Sequence, residues 1–217
     1  MGRPPRVHFP GYPHHVVMRC NNREHFLMDD RDRLKLLEFV GRFKSGHKAK
    51  LYAYTVMSNH VHLIWDPGHE VPLPDQMRDI MTNFAKWFNW KHTRKGHFWE
   101  SRYHSSVIQD DSYALTCMRY IHRNPSRAGL VKFPWDYNGS SVRHNAFGEP
   151  DTLIDDLPSF LGLSPYPKVR QRIYRQWVES PFEQEKQKTI FYDPFMGSDS
   201  FRIRMLATHG LFKRRTK

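Results

Sequence analysis

Apolar and polar positions along the first two thirds of the chain set out a regular succession of elements. Residues 14–21 (His-His-Val-Val-Met-Arg-Cys-Asn) form a β-rich run that Asn21 and Asn22 close, which predicts a first strand. Asp29 or Asp30 can cap a helix to about Lys44, with Leu34, Leu37, Phe39, Val40 and Phe43 as its apolar set and Gly46 as its stop. Residues 50–57 and 59–66 are two strand-like runs parted by a tight turn at Met57-Ser58-Asn59, a hairpin. Pro74 and Asp75 open a second helix to about Thr93, and Met77, Ile80, Met81, Phe84, Trp87 and Phe88 make its core stripe. Residues 97–108 read as a fourth strand. A cluster at Asp110-Asp111-Ser112 then starts a helix that Pro125 stops at about Asn124. The order β-α-β-β-α-β followed by a helix predicts an α+β, ferredoxin-like (RRM-like) antiparallel sheet. The helices would lie on one face, leaving the other for a ligand.

Beyond about residue 145 the texture changes. Gly148, Pro150, Pro158, Gly162, Pro165 and Pro167 punctuate the chain, residues 168–179 and 196–208 are helix candidates, and Lys213-Arg214-Arg215-Thr216-Lys217 is a basic run. This predicts a catalytic domain over 1–145 and a basic, helical C-terminal extension over 146–217.

Charge narrows the partners. Lys and Arg number 34 against 22 Asp and Glu, a net charge of +12. Such a surface favours polyanions, and 6 Trp, 10 Tyr and 15 Phe add flat faces on which unpaired bases stack. Nucleic acid is therefore preferred over an anionic membrane. Cys20 and Cys117 form no CxxC pair, which excludes a zinc ribbon and a disulfide framework and leaves two buried thiols or a single bridge. No run approaches a membrane span, and Met-Gly-Arg-Pro-Pro-Arg lacks the apolar core of a signal peptide. A cytoplasmic, nucleoid-associated protein is expected.

The candidate chemistry lies in two places. His60 and His62 flank Val61 in a strand run, so both imidazoles point to one face, where neutral ring nitrogens can hold a divalent metal. Packed or solvated histidines would give the same pattern. On the last predicted helix, Tyr120 and Asn124 are spaced to share a face. Asn124 offers a carbonyl oxygen to a hard cation and Tyr120 a phenol as nucleophile. Spacing equally allows a half-buried core tyrosine and a helix cap. Tyr113, two turns earlier, is the rival nucleophile, and His122 and His104 are candidate bases for a phenol that titrates near ~10 in water.

Several ordered motifs carry a resemblance. They are Tyr12-Pro13-His14-His15-Val16, Arg19-x-Asn21-Asn22-Arg23-Glu24, Met57-x-Asn59-His60-Val61-His62-Leu63, Gly96-His97-x-Trp99-x-x-Arg102-Tyr103, Tyr120-Ile121-x-x-Asn124-Pro125-x-Arg127-Ala128-Gly129-Leu130-Val131 and Gly139-Ser140-Ser141. Over residues 1 to about 145 the chain resembles the IS200-like transposases, and among them the REP-associated tyrosine transposases, single-tyrosine HUH nucleases. A fainter echo, Gly197-Ser198-x-x-Phe201, reaches into the extension.

The resemblance implies a metal-dependent single-stranded DNA endonuclease and strand-transfer enzyme. His60, His62 and Asn124 would hold Mg²⁺ or Mn²⁺, and Tyr120, preferred over Tyr113 by its motif, would form a 5′-phosphotyrosine link. Single-stranded or hairpin DNA would be the partner, and a homodimer is allowed. Arg102, Arg119, Arg123, Arg127 and Arg143 lie near the motifs and could contact phosphates, or form a solvated basic face. The alternative is a domesticated nucleic-acid-binding module on the same fold, without catalysis.

Overall fold

A central hairpin organises the sheet. In the computed structural model, which describes residues 9–109, 111–180 and 193–208, strands β2 (Lys50–Val56) and β3 (His60–Asp66) pair antiparallel across a turn at Ser58 and Asn59. Strand β1 (His14–Arg19) pairs with β3, and β4 (His104–Ile108) pairs with β1, both antiparallel. A two-residue strand, β5 (Phe195–Met196), adds to β4 in parallel and gives the order β2-β3-β1-β4-β5. The first four strands are the expected antiparallel arrangement. The fourth is shorter than its sequence run, because residues 97–103 follow an irregular path in which only Trp99 bridges back to Cys20.

Helices α1 (Asp30–Gly46) and α2 (Leu73–Lys91) cover one face. Asp29 caps α1 by accepting from the Arg31 N–H at 2.7 Å. Val16, Met18, Val61, Leu63 and Trp65 project from the sheet into this layer and meet Leu36, Val40, Ile80 and Phe84. Period-2 alternation sends His60, His62 and Ile64 to the opposite face. A bulge between Leu51 and Ala53 turns Tyr52 and Ala53 together onto that second face.

The second face is covered, where the sequence suggested an open one. Helix α3 (Asp111–Arg127) lies on it, and Ala114, Cys117, Met118 and Ile121 form its packed side. Helices α4 (Val142–Phe147), α5 (Pro158–Leu161) and α6 (Pro167–Glu179) extend the same core through Val142, Phe160, Tyr174 and Val178. The sequence offered no rule for which face these later helices would take. Helix α7 (Asp199–Thr208) packs Phe201 and Met205 against β4 and β5. Both cysteines are buried free thiols, and no described helix is long and apolar enough to cross a membrane. Asp110 and the basic run from Lys213 lie outside the described residues.

Pro125 does not end α3, contrary to expectation. The helix runs on to Arg127 and closes at Gly129, whose φ of +73° suits a residue without Cβ. Leu130 N–H donates to the Pro125 carbonyl at 3.0 Å and Gly129 N–H to that of Ser126 at 3.1 Å, the paired bonds of a Schellman stop.

Candidate active site

Register and helix pitch bring the sequence candidates together. Arg19 stands opposite His60 and Val17 opposite His62 on the β1–β3 ladder, so β1 contributes His15 and Arg19 to the face that carries the histidine pair. Tyr120 and Asn124, one turn apart on α3, descend onto it. His60, His62, Tyr120, Asn124 and Arg127 line one cavity of about 360 Å³, together with Arg19, Arg23, Asn59 and Ala128. Tyr113 does not reach this cavity, nor do His104 and His122. His122 is bound instead to the Tyr174 hydroxyl (2.7 Å) and to Ser141 Oγ (2.9 Å), which ties α3 to the extension.

The imidazoles are held in a defined order. His60 Nδ1 lies 2.6 Å from Asn59 Oδ1, which can only accept, so Nδ1 carries the proton and Nε2 the lone pair. His62 Nδ1 lies 2.9 Å from His15 Nε2, and His62 Nε2 lies 3.0 Å from Asn124 Nδ2. The Asn124 amide donates to His62 Nε2, so His62 donates from Nδ1 to His15. Both candidate ligands thus carry their lone pair on Nε2, that of His62 engaged by the Asn124 amide, which a bound cation would displace. Burial, with the Arg19 charge beside it, pushes His60 down to about 4 although Asn124 opposes the shift. Burial, then the charges of His15, His60, Arg19 and Arg127, holds His62 well below the usual range. Burial followed by His104 pushes His15 down to about 3.

A divalent cation fits this donor set. Neutral imidazoles with an oriented Nε2 are ordinary ligands, and the Asn124 carboxamide carries a carbonyl oxygen on the same group. Among the described residues no cluster of three His, Cys, Asp or Glu side chains has metal-binding spacing, so the set is two imidazoles and an amide. Neutral donors leave the charge of an ion undiminished towards a phosphate.

The five arginines separate. Arg127 lines the cavity with its guanidinium 4.8 Å from the Tyr120 ring centroid. Arg102 lines a neighbouring hollow with Arg19 and His104. Arg143 is paired with Glu149 on the surface. Arg119 donates to the Ser180 carbonyl and hydroxyl, and Arg123 to the carbonyls of Val178 and Glu179. These two cap the C-terminus of α6 and turn their charge to its dipole, a role that helix spacing alone could not show. Sequence reasoning left out His15, Arg19 and Arg23 as site residues, although two of the quoted motifs contain them. Strand register places Arg19 at the cavity and His15 behind His62, while Arg23 arrives from the short turn that follows β1.

A family model described as an IS200-like transposase matches residues 9–124, more than half of the chain. The chain belongs to the IS200-like transposase family. The matched span begins before β1 and ends on Asn124, so it takes in His60, His62 and Tyr120. This IS200-like transposase is 22% identical over 146 residues to a Haemophilus influenzae protein assigned as a REP-associated tyrosine transposase, a match covering 57% of this chain and 80% of that one. Its fold is shared with the structure of a REP-associated tyrosine transposase bound to a REP hairpin, at a TM-score of 0.57 and 21% identity over 71% of this chain and 94% of that one. The protein is therefore a transposase, a DNA-processing enzyme.

The buried neutral histidines set a cost in acid. His15 and His122 are pushed down to about 3 and His60 to about 4, each chiefly by burial, and His62 is also lowered. In the unfolded chain all four would titrate near ~6.5. Stability is fully present above that value and falls as the pH drops towards the folded values, by about 1.4 kcal/mol per pH unit for each group. Urea unfolding without added metal is expected to lose several kcal/mol between about pH 7 and pH 5. A flat profile would contradict the buried, neutral set.

Proposed function

We propose that this transposase cuts and rejoins single-stranded DNA beside hairpins through a covalent 5′-phosphotyrosine intermediate on Tyr120. The observation that carries this reading is the meeting of Tyr120 and Asn124 with His60 and His62 of the same chain in one cation-lined cavity. The Tyr120 oxygen attacks the scissile phosphorus, and the bond to the 3′ oxygen breaks. The tyrosine loses a proton and the leaving 3′ oxygen gains one. A second 3′-hydroxyl can reverse the step and join strands, since no water is consumed. Arg19, Arg23 and Arg127 supply positive charge to receive and orient the phosphate. His60, His62 and Asn124 would hold Mg²⁺ or Mn²⁺, which when bound supplies Lewis-acid polarisation of the phosphate. One chain contains the whole cavity, so a homodimer would add binding surface and not complete the site.

Hairpin DNA as the substrate is supported by the similar transposase whose structure is bound to a REP hairpin, and by the net charge of +12. Residues 1–145 would carry the chemistry and the basic extension from 146 would grip the hairpin. Lys168 and Arg172 stand exposed on α6. Tyr174 and Val178 of the same helix are fully buried against α3, so charge removal is a cleaner test than deletion. The pair Lys168→Gln and Arg172→Gln is expected to lower the slope of log affinity against log salt by about 1.5. An unchanged slope would place the grip elsewhere.

The reading is tested by incubating the protein with single-stranded hairpin DNA and Mg²⁺ or Mn²⁺, followed by a denaturing gel. A covalent protein–DNA band is expected. Cleavage without that band would indicate hydrolysis, and binding without cleavage would indicate a non-catalytic module.

A further inference from the structure

Pro125 creates a vacancy inside α3. It has no N–H, so the carbonyl of Ile121, which residue 125 would ordinarily meet, has no donor within the helix. That carbonyl lies between Tyr120 and Asn124 in the chain and faces the sheet. Thr55 of β2 fills the gap, its hydroxyl donating to the Ile121 carbonyl at 3.0 Å. Thr55 is fully buried, and on the β2–β3 ladder it stands directly opposite His62.

The Gly139-Ser140-Ser141 segment completes the arrangement. The Gly139 carbonyl accepts from Val56 N–H at 2.7 Å, and a Cβ at Gly139 would come within 2.8 Å of the Val56 oxygen. This close approach seats Ser140 Oγ 3.0 Å from Thr55 Oγ1. Thr55 gives its one proton to Ile121, and the Ser140 hydroxyl, within 3.3 Å of the Tyr54 carbonyl as well, lies beside it.

We infer that Thr55 is a positioning residue, which pins the tyrosine helix to the histidine strand through the carbonyl that Pro125 leaves open. The bond ties α3 at Ile121 to the rung of the sheet that carries His62. Tyr120 and Asn124 flank the tie and inherit their distance to His60 and His62 from it. The consequence for catalysis rests on the function proposed above, whereas the tie itself does not.

Two roles for the hydroxyl can be separated. If it only satisfies a buried carbonyl, an alanine at 125 would serve as well, because its N–H closes the helical bond to Ile121. Thr55→Val is expected to lower Tm by a few degrees, and Pro125→Ala in that background to restore it. Adduct formation at saturating hairpin DNA should stay about 10- to 100-fold below wild type in the double variant, with hairpin affinity unchanged. Thr55→Ser should regain most of the rate. Amide hydrogen exchange over residues 117–124, measured without metal or DNA, should be about tenfold faster in the double variant at equal Tm. Wild-type exchange in a double variant of restored Tm would overturn the tie. Faster exchange with a wild-type rate would overturn its catalytic role. If the wild-type protein forms no adduct, the proposed chemistry fails, and the exchange measurement alone still decides the tie.

Discussion

Replacing Tyr120 by Phe is expected to abolish the covalent protein–DNA product and to lower strand cleavage by about 10⁴-fold or more. Removal of a nucleophile leaves only binding and orientation, and no other hydroxyl lines the cavity among the described residues. Tyr120 is 7% exposed, and its ring meets His15, His62 and Arg127. Phe keeps those ring contacts, so fold and hairpin affinity should change little. Tyr113→Phe, by contrast, should leave the adduct intact. Loss of the adduct in Tyr113→Phe and its survival in Tyr120→Phe would reverse the choice of nucleophile.

The second large effect is expected at His62. His62→Ala should lower adduct formation by about 10³-fold at saturating DNA and remove the stimulation by Mn²⁺. His62 sits between His15 and Asn124, 2.9 and 3.0 Å away, so its loss removes a candidate ligand and breaks a hydrogen bond to each neighbour. His15→Ala tests a different link. It removes the acceptor that orients His62, together with an edge contact to Tyr120, and such outer partners typically contribute about 10- to 100-fold in metal affinity. Calorimetric titration with Mn²⁺ should therefore show binding lost in His62→Ala and weakened in His15→Ala. Equal Mn²⁺ affinity in wild type and His62→Ala would remove this residue from the metal site.

Much of this site is written in local periodicity. A two-residue repeat put His60 and His62 on one face, and a four-residue spacing did the same for Tyr120 and Asn124. Neither repeat depends on partners far away in the chain. The hairpin was legible for the same reason, since Ser58 and Asn59 are turn residues between two β-rich runs.

What was not legible depends on long-range geometry. His15 and Arg19 enter the site only through the register of β1 on β3, which no local signal specifies. Arg119 and Arg123 read as phosphate contacts or a solvated basic face, yet α6 ends where their guanidiniums can cap it. Pro125 read as a helix stop because its missing N–H usually ends a helix. Here Thr55, 70 residues earlier in the sequence, supplies the donor, and Gly129 provides the stop. The covered second face follows from Ile121, Tyr174 and Val178, whose apolar stripes needed a common surface to bury.

The central claim is that covalent chemistry belongs to Tyr120 and that the histidine pair assists it. The most direct measurement is mass spectrometry of the wild-type adduct, formed on single-stranded hairpin DNA with Mn²⁺ and digested with protease and nuclease. The account predicts a 5′-nucleotide phosphate on the peptide that contains Tyr120. Cleaved DNA with no modified peptide, or the phosphate on Tyr113 instead, would contradict it.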